Sequence, residues 1–294
     1  MTTAPTLGVI FLPSYPPERL KSVALHADRL GLPELWLWED CFKEGALTAA
    51  AAALAWTSQL RVGIGLLPVP LRNVALSAME LATLDRMFPG RSVLGIGHGV
   101  LEWMEQVGAR AESPMTLLRE YTVALRRLLG GDTVSSTGRY VTLDDVGLVW
   151  PPSDPAPLLV GAMGPKTMAL AGELADGAIL TGGTTPDQVR EARTILDPAA
   201  QAAGRPRPRI VVFLIAVTGA DAQARLEADL VEWDNGGDLG LAGVAGSAED
   251  VAAGVRRLAD AGADAVILQP PQDEQDLEGY VAFVAEEVAT VLGG

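Results

Sequence analysis

The sequence predicts a (β/α)8 barrel from three observations: eight short apolar runs, amphipathic helical stretches between them, and no Ser/Gly/Pro-rich linker dividing the 294 residues. The strands are placed at Leu7 to Leu12, Glu34 to Trp38, Arg61 to Leu66, Ser92 to Ile96, Leu158 to Ala162, Ala178 to Thr181, Arg209 to Val217 and Ala265 to Leu268. The chain, residues 1–294, is read as one such domain. A doubly wound open sheet is the competing arrangement for the same alternation.

Each element has a local cause. After the first apolar run, Pro17 opens a helix that stops at Gly31. The second run, "LWLW", ends on Glu39, Asp40 and the single cysteine, Cys41. One of Trp36 and Trp38 is expected inside the barrel and the other under the helices. Ala49 to Ala53 make the helix over Ala46 to Trp56 smooth and strongly helix-forming. Gly63 and Gly65 mark a bulge or close backbone approach in the third strand, and Pro68 and Pro70 fix its exit. A helix over Asn73 to Met87 leads to a fourth strand ending in "GIGHG", followed by a helix over Pro114 to Leu129. Thr133 to Trp150 alternates like a hairpin with its turn near Gly138, an insertion before the fifth strand. Helices over Pro165 to Leu174 and Pro186 to Ala203 flank the sixth strand; those over Ala222 to Trp233 and Ala248 to Ala261 precede the eighth. Between the last two, Asp234 to Gly246 is Gly-rich and aperiodic and reads as a loop.

Composition limits the function classes. A formal net charge of −15 opposes general binding to nucleic acid or anionic membranes, which needs basic surface. No apolar stretch is long enough to cross a bilayer, and Met1 to Pro5 lacks the basic and apolar character of a secretory leader. One cysteine forms no internal disulfide and suits a reducing cytoplasm. A small molecule is the expected partner.

In a (β/α)8 barrel, chemistry belongs at the C-terminal strand ends. Glu39, Asp40 and Cys41 fall on that rim after the second strand, and Gly97 and His98 after the fourth. His98 reads equally as a catalytic group or as a residue bonding a neighbouring loop. After the fifth strand, Met163, Gly164, Pro165 and Lys166 open a helix whose exposed N–H groups form a candidate phosphate site; an ordinary glycine-containing turn is the alternative. Thr181, Gly182 and Gly183 follow the sixth strand beside it.

These stretches carry a resemblance. "LWLWEDCFKEG", "RVGIGLLPVPLRN", "FPGRSVLGIGHG" and "VGAMGPKTMALAGELADGAILTGGT" resemble segments of the bacterial luciferase-like superfamily, especially its coenzyme F420-dependent oxidoreductases. The resemblance implies a deazaflavin or flavin ring against Ile64, Gly65 and Leu66, where the family commonly has a non-prolyl cis peptide. It places the cofactor phosphate at Met163, Gly164 and Pro165, beside Thr181, Gly182 and Gly183, and it implies a homodimer. F420, with hydride transfer, is the expected cofactor, and Lys43, Arg72 and Lys166 are candidates to meet its acidic tail. The alternatives are an FMN-dependent monooxygenase and a catalytically idle cofactor-binding protein. Family members often carry His after the acidic residue of the second strand; here Asp40 or Cys41 stands in that place. In the expected mechanism, Asp40 and His98, on adjacent strand ends, share proton transfer, with Glu39 as the nearby second carboxylate.

Overall fold

The computed structural model describes residues 4–234 and 242–293. Its elements run β1 (Thr6–Ile10), α1 (Leu20–Arg29), β2 (Glu34–Leu37), α2 (Ala46–Trp56), β3 (Arg61–Pro68), α3 (Val74–Met87), β4 (Ser92–Gly97), α4 (Leu101–Gln106) and α5 (Pro114–Leu129). The hairpin strands β5 (Val134–Thr137) and β6 (Thr142–Val146) come next, then β7 (Leu158–Gly161), α6 (Pro165–Leu174), β8 (Gly177–Leu180), α7 (Pro186–Ala202) and β9 (Arg209–Val217). The chain ends with α8 (Ala222–Asp234), β10 (Gly243–Ala245), α9 (Ala248–Ala261), β11 (Ala265–Gln269), α10 (Leu277–Ala282), a π-helical turn (Phe283–Val288) and α11 (Ala289–Gly293).

Eight strands close a parallel barrel in the order β9, β11, β1, β2, β3, β4, β7, β8 and back to β9. The closing pair runs in register from Gly177 opposite Arg209 to Leu180 opposite Val212, which excludes the open sheet. The inserted hairpin is antiparallel, with Gly138 N–H donating to Val141 C=O at 3.0 Å across its turn.

In the C-terminal part of the chain two features differ from the expectation. Residues 235–241 of the anticipated loop lie outside the described residues, but Gly243–Ala245 form β10, pairing parallel with Ile215 to Val217. β9 has nine residues, whereas β8 uses only its first four and β11 reaches only to Ile215, so its last residues have an edge to offer. The second difference is the closing helical segment from Leu277 to Gly293, absent from the sequence reading, whose helices end at Ala261. Asp276 caps it by accepting from Gly279 N–H at 2.9 Å, and Glu278 ties it to α1 through Arg19 and Ser22 at 3.0 and 2.6 Å.

The barrel interior is layered. At the N-terminal end, wholly buried Glu34 pairs with Arg61 Nη1 at 3.1 Å and accepts from Arg209 Nη2 at 2.9 Å and Trp36 Nε1 at 2.9 Å. Above it Trp36 meets Phe213 edge to face at 5.6 Å, and a Cβ on Gly63 would lie 2.2 Å from the Trp36 ring, so only glycine fits there. Trp38 stacks on the other side of Phe213 at 5.7 Å. Both tryptophans therefore point inward. Being two residues apart on one strand they share a face, which corrects the expectation of opposite faces.

Candidate active site

The C-terminal mouth is built from the ends of β2, β3, β4, β7 and β8. At the end of β2, Glu39 is fully engaged. Its N–H donates to Leu66 C=O at 3.2 Å, Oε1 accepts from Ala46 N–H at 3.2 Å at the start of α2, and Oε2 pairs with Arg72 at 2.5 Å. It fastens two rim loops together. Asp40 is left with a weaker partner, Lys43 Nζ at 3.9 Å. Burial raises its carboxyl above the usual range, opposed by hydrogen bonding from Trp38 and by the Lys43 charge. Of the two carboxylates, Asp40 is the one not held by an arginine.

Sequence reasoning missed a third acid on this loop. Both carboxyl oxygens of Glu44 are buried and lack a hydrogen-bond partner among the described residues, and burial pushes its pKa up to about 7. Nothing in "FKEGA" signals this, because the shielding comes from the fold and not from neighbours in sequence.

His98 stands away from Asp40. β3 lies between β2 and β4, so these strand ends are not adjacent, contrary to the expectation. His98 Nε2 is 3.4 Å from Thr167 Oγ1 in the first turn of α6, and the Thr167 hydroxyl donates to Met115 Sδ at 3.4 Å. Burial lowers the imidazole pKa, which keeps the ring neutral near neutral pH. The bond to a neighbouring element matches the structural alternative for this residue.

Leu66 forms the apolar seat of the mouth. The Gly65–Leu66 peptide is cis, as is Cys41–Phe42, and the pairing of β3 with β4 slips between Ile64 and Leu67. The bulge lays the Leu66 side chain across β4 and β7: a Cβ on Gly97 or Gly161 would fall 2.6 or 2.3 Å from Leu66 Cδ2. Ile64 and Gly65 are buried behind it, and Leu66 is the residue of the three that reaches the surface. Trp38, Phe213 and Trp233 add an aromatic wall, with Trp38 and Trp233 meeting edge on at 6.3 Å.

Beyond the end of β7, which Leu66 touches at Gly161, Met163, Pro165 and Thr181 to Thr184 line a small cavity of about 140 Å³ with Gln188. Two helices begin here. α7 satisfies its own first turn through the Thr185–Gln188 capping box, whereas Gly164 caps α6 without a side-chain bond and leaves its first N–H groups open. Pro165 occupies the first turn of α6, Lys166 is exposed beside it, and Thr181 Oγ1 donates to Met163 Sδ at 2.9 Å. Gly183 adopts φ +88°, and its carbonyl accepts from Ala242 N–H at 2.8 Å, which pins the loop to the approach of β10. The chemistry suits an anion at α6: open main-chain donors at the positive end of a helix dipole. Such a corner and the Leu66 seat fit the phosphate and the ring of a flavin-like cofactor.

Residues 3–264 match the family described as luciferase-like monooxygenase. The chain belongs to the luciferase-like monooxygenase family. Within it, the chain is 27% identical over 219 residues to the 5,10-methylenetetrahydromethanopterin reductase of Methanolobus tindarius, covering 74% of this chain and 67% of that protein. It is 32% identical over 192 residues to the F420-dependent glucose-6-phosphate dehydrogenase of Kineococcus radiotolerans, covering 60% of this chain and 56% of that one. The match thus spans somewhat over half of the second relative's length. Among solved structures, an F420-dependent secondary alcohol dehydrogenase in complex with an F420-acetone adduct has the same fold: TM-score 0.87 at 21% identity, over 98% of this chain and 99% of the other. The luciferase-like fold accounts for the closed barrel and the side on which its loops gather.

Proposed function

We propose that this luciferase-like protein is an F420-dependent oxidoreductase that moves a hydride between the deazaflavin and a small organic substrate. The observation that carries this reading is the sequence likeness to an F420-dependent enzyme over 192 residues, joined to a mouth that sets an apolar seat beside an open helix end. Leu66 would hold the ring, and the first N–H groups of α6 with Thr181, Gly182 and Gly183 the phosphate. The cofactor, when bound, supplies the hydride chemistry. The chain's own part is to bind, to exclude water and to handle a proton. Trp38, Phe213 and Trp233 shield the mouth, and Asp40 is the acid, its carboxyl kept protonated to higher pH by burial. His98 assists by holding α6 through Thr167.

The protein acts as a homodimer in this reading. Leu76, Met79 and Met87 are exposed along one stripe of α3, near exposed Leu71 and Phe42, an apolar surface suited to a second copy. A cytoplasmic location agrees with the unpaired Cys41. No helix among the described residues is long and apolar enough to cross a membrane.

Fluorescence titration with oxidised F420 and, separately, with oxidised FMN tests the function. Saturable F420 binding with little response to FMN is expected. Preference for FMN would overturn the F420 reading in favour of flavin monooxygenase chemistry.

A further inference from the structure

The top layer of the barrel holds a polar side chain that the site described above does not use. Gln269 is the last residue of β11, in register with Ile215 of β9. Ile215 lies on the same face of β9 as Phe213 and Arg209, two and six residues earlier, and those two contact Trp36 and Glu34 inside the barrel. Gln269 therefore points inward as well, at the end of the barrel where the mouth opens. It is 2% exposed, and its Nε2 is buried without a hydrogen-bond partner among the described residues. A buried amide donor left unpaired carries the full cost of desolvation, so a folded protein keeps one where something else completes it.

The neighbours identify where that partner sits. A Cβ on Gly182 would lie 2.7 Å from Gln269 Oε1 and 3.3 Å from Ile215 Cγ1. Gln269 therefore lies directly beneath the Thr181–Gly183 loop, whose upper side lines the small cavity at the start of α6. Glycine at 182 lets the amide come this close. The same amide carries the unpaired Nε2, so the donor lies in the layer just under that loop.

We infer that Gln269 is a cofactor-binding residue: its Nε2–H donates to an oxygen acceptor on the chain that links the deazaflavin ring to its phosphate. The inference rests on the cofactor reading above and adds a specific donor to it. No covalent step is involved.

The test uses the full-length protein and two variants, Gln269→Met and Gln269→Glu. Methionine keeps the length and flexibility of the side chain and removes the donor; glutamate keeps its shape. Melting without ligand is measured first, then F420 and FMN titrations by fluorescence at two pH values. Gln269→Met is expected to melt at or above the temperature of the unmodified protein, because an unpaired amide has been removed, and to bind F420 about tenfold more weakly. Gln269→Glu is expected to bind weakly at high pH and to recover as the pH falls, when a protonated carboxyl can donate again. A purely structural glutamine would not produce that pH dependence. Lower ligand-free melting of Gln269→Met would show an internal partner and overturn the inference. Unchanged F420 affinity in both variants would overturn it while leaving the cofactor reading intact. Failure of the unmodified protein to bind either cofactor would overturn both.

Discussion

Glu34 provides the sharpest test of the barrel interior. Replacing it by Gln keeps the shape and removes the charge at a wholly buried position that pairs with Arg61 and accepts from Arg209 and Trp36. Gln with its carbonyl oxygen in the place of Oε1 still meets both arginines, but without the charge, and its amide nitrogen then faces the Trp36 indole N–H, donor against donor. The side chains of Arg61 and Arg209 are 35% and 21% exposed, so each can lean towards water and recover part of its solvation. Breaking a fully buried pair costs about 3–5 kcal/mol, and that partial exposure puts the expected loss at the lower end, about 3 kcal/mol. For a domain of this size each kcal/mol moves the melting temperature by about 2 °C, so a fall of about 6 °C is expected in a thermal melt followed by circular dichroism. Arg61→Met should cost less, because Glu34 keeps Arg209. A Glu34→Gln protein that melts within about 1 °C of the unmodified one would refute the claim that this cluster anchors the floor of the barrel.

Three further outcomes are expected. Asp40→Asn should lower turnover at least tenfold and abolish the high-pH limb of the rate profile, the limb on which a protonated Asp40 with a raised pKa is lost; steady-state kinetics across pH checks this. Glu44, at about 7 against an ordinary 4.5, binds a proton in the folded protein where the unfolded chain does not, so stability should fall as the pH rises through that window, and Glu44→Gln should flatten the slope in urea melts. Met79→Glu puts a charge in the exposed stripe of α3 and should convert a dimer into a monomer in light scattering, with the melt of the monomer otherwise preserved.

The parts of the fold that could be read from the sequence are those whose signal is local. Pro114 and Pro165 stand at the first helical position, and Asn73 caps α3 by accepting from Ala75 N–H at 2.9 Å, so these boundaries could be read from single residues. The hairpin announced itself by alternation around Gly138. β10 could not be read, because three residues among glycines show no period; it exists through the overhang of β9, a property of the closed barrel. The site divides the same way. The open end of α6 was visible as Gly164 and Pro165 in sequence. The separate fates of Glu39 and Asp40 were not, since they depend on Arg72, 33 positions from Glu39. Gln269 and Glu44 were missed for a related reason: a single polar residue is informative only once its surroundings are known to be closed.

The contact between Trp36 and the glycines of β3 also sets an order in which this barrel can change. A side chain at Gly63 would begin 2.2 Å from the indole, and one at Gly65 would begin 2.9 Å from both the indole and Phe213. Gains at either glycine are therefore closed while the tryptophan stands, whereas a smaller residue at 36 leaves a void that a gain at Gly63 can fill, and one at Gly65 also needs Phe213 to give way. Any lineage that rebuilds this layer has to shrink position 36 first and accept a less stable intermediate. Screens that vary one position at a time would score Gly63 and Gly65 as immutable, while libraries that vary them together with Trp36 should recover folded proteins.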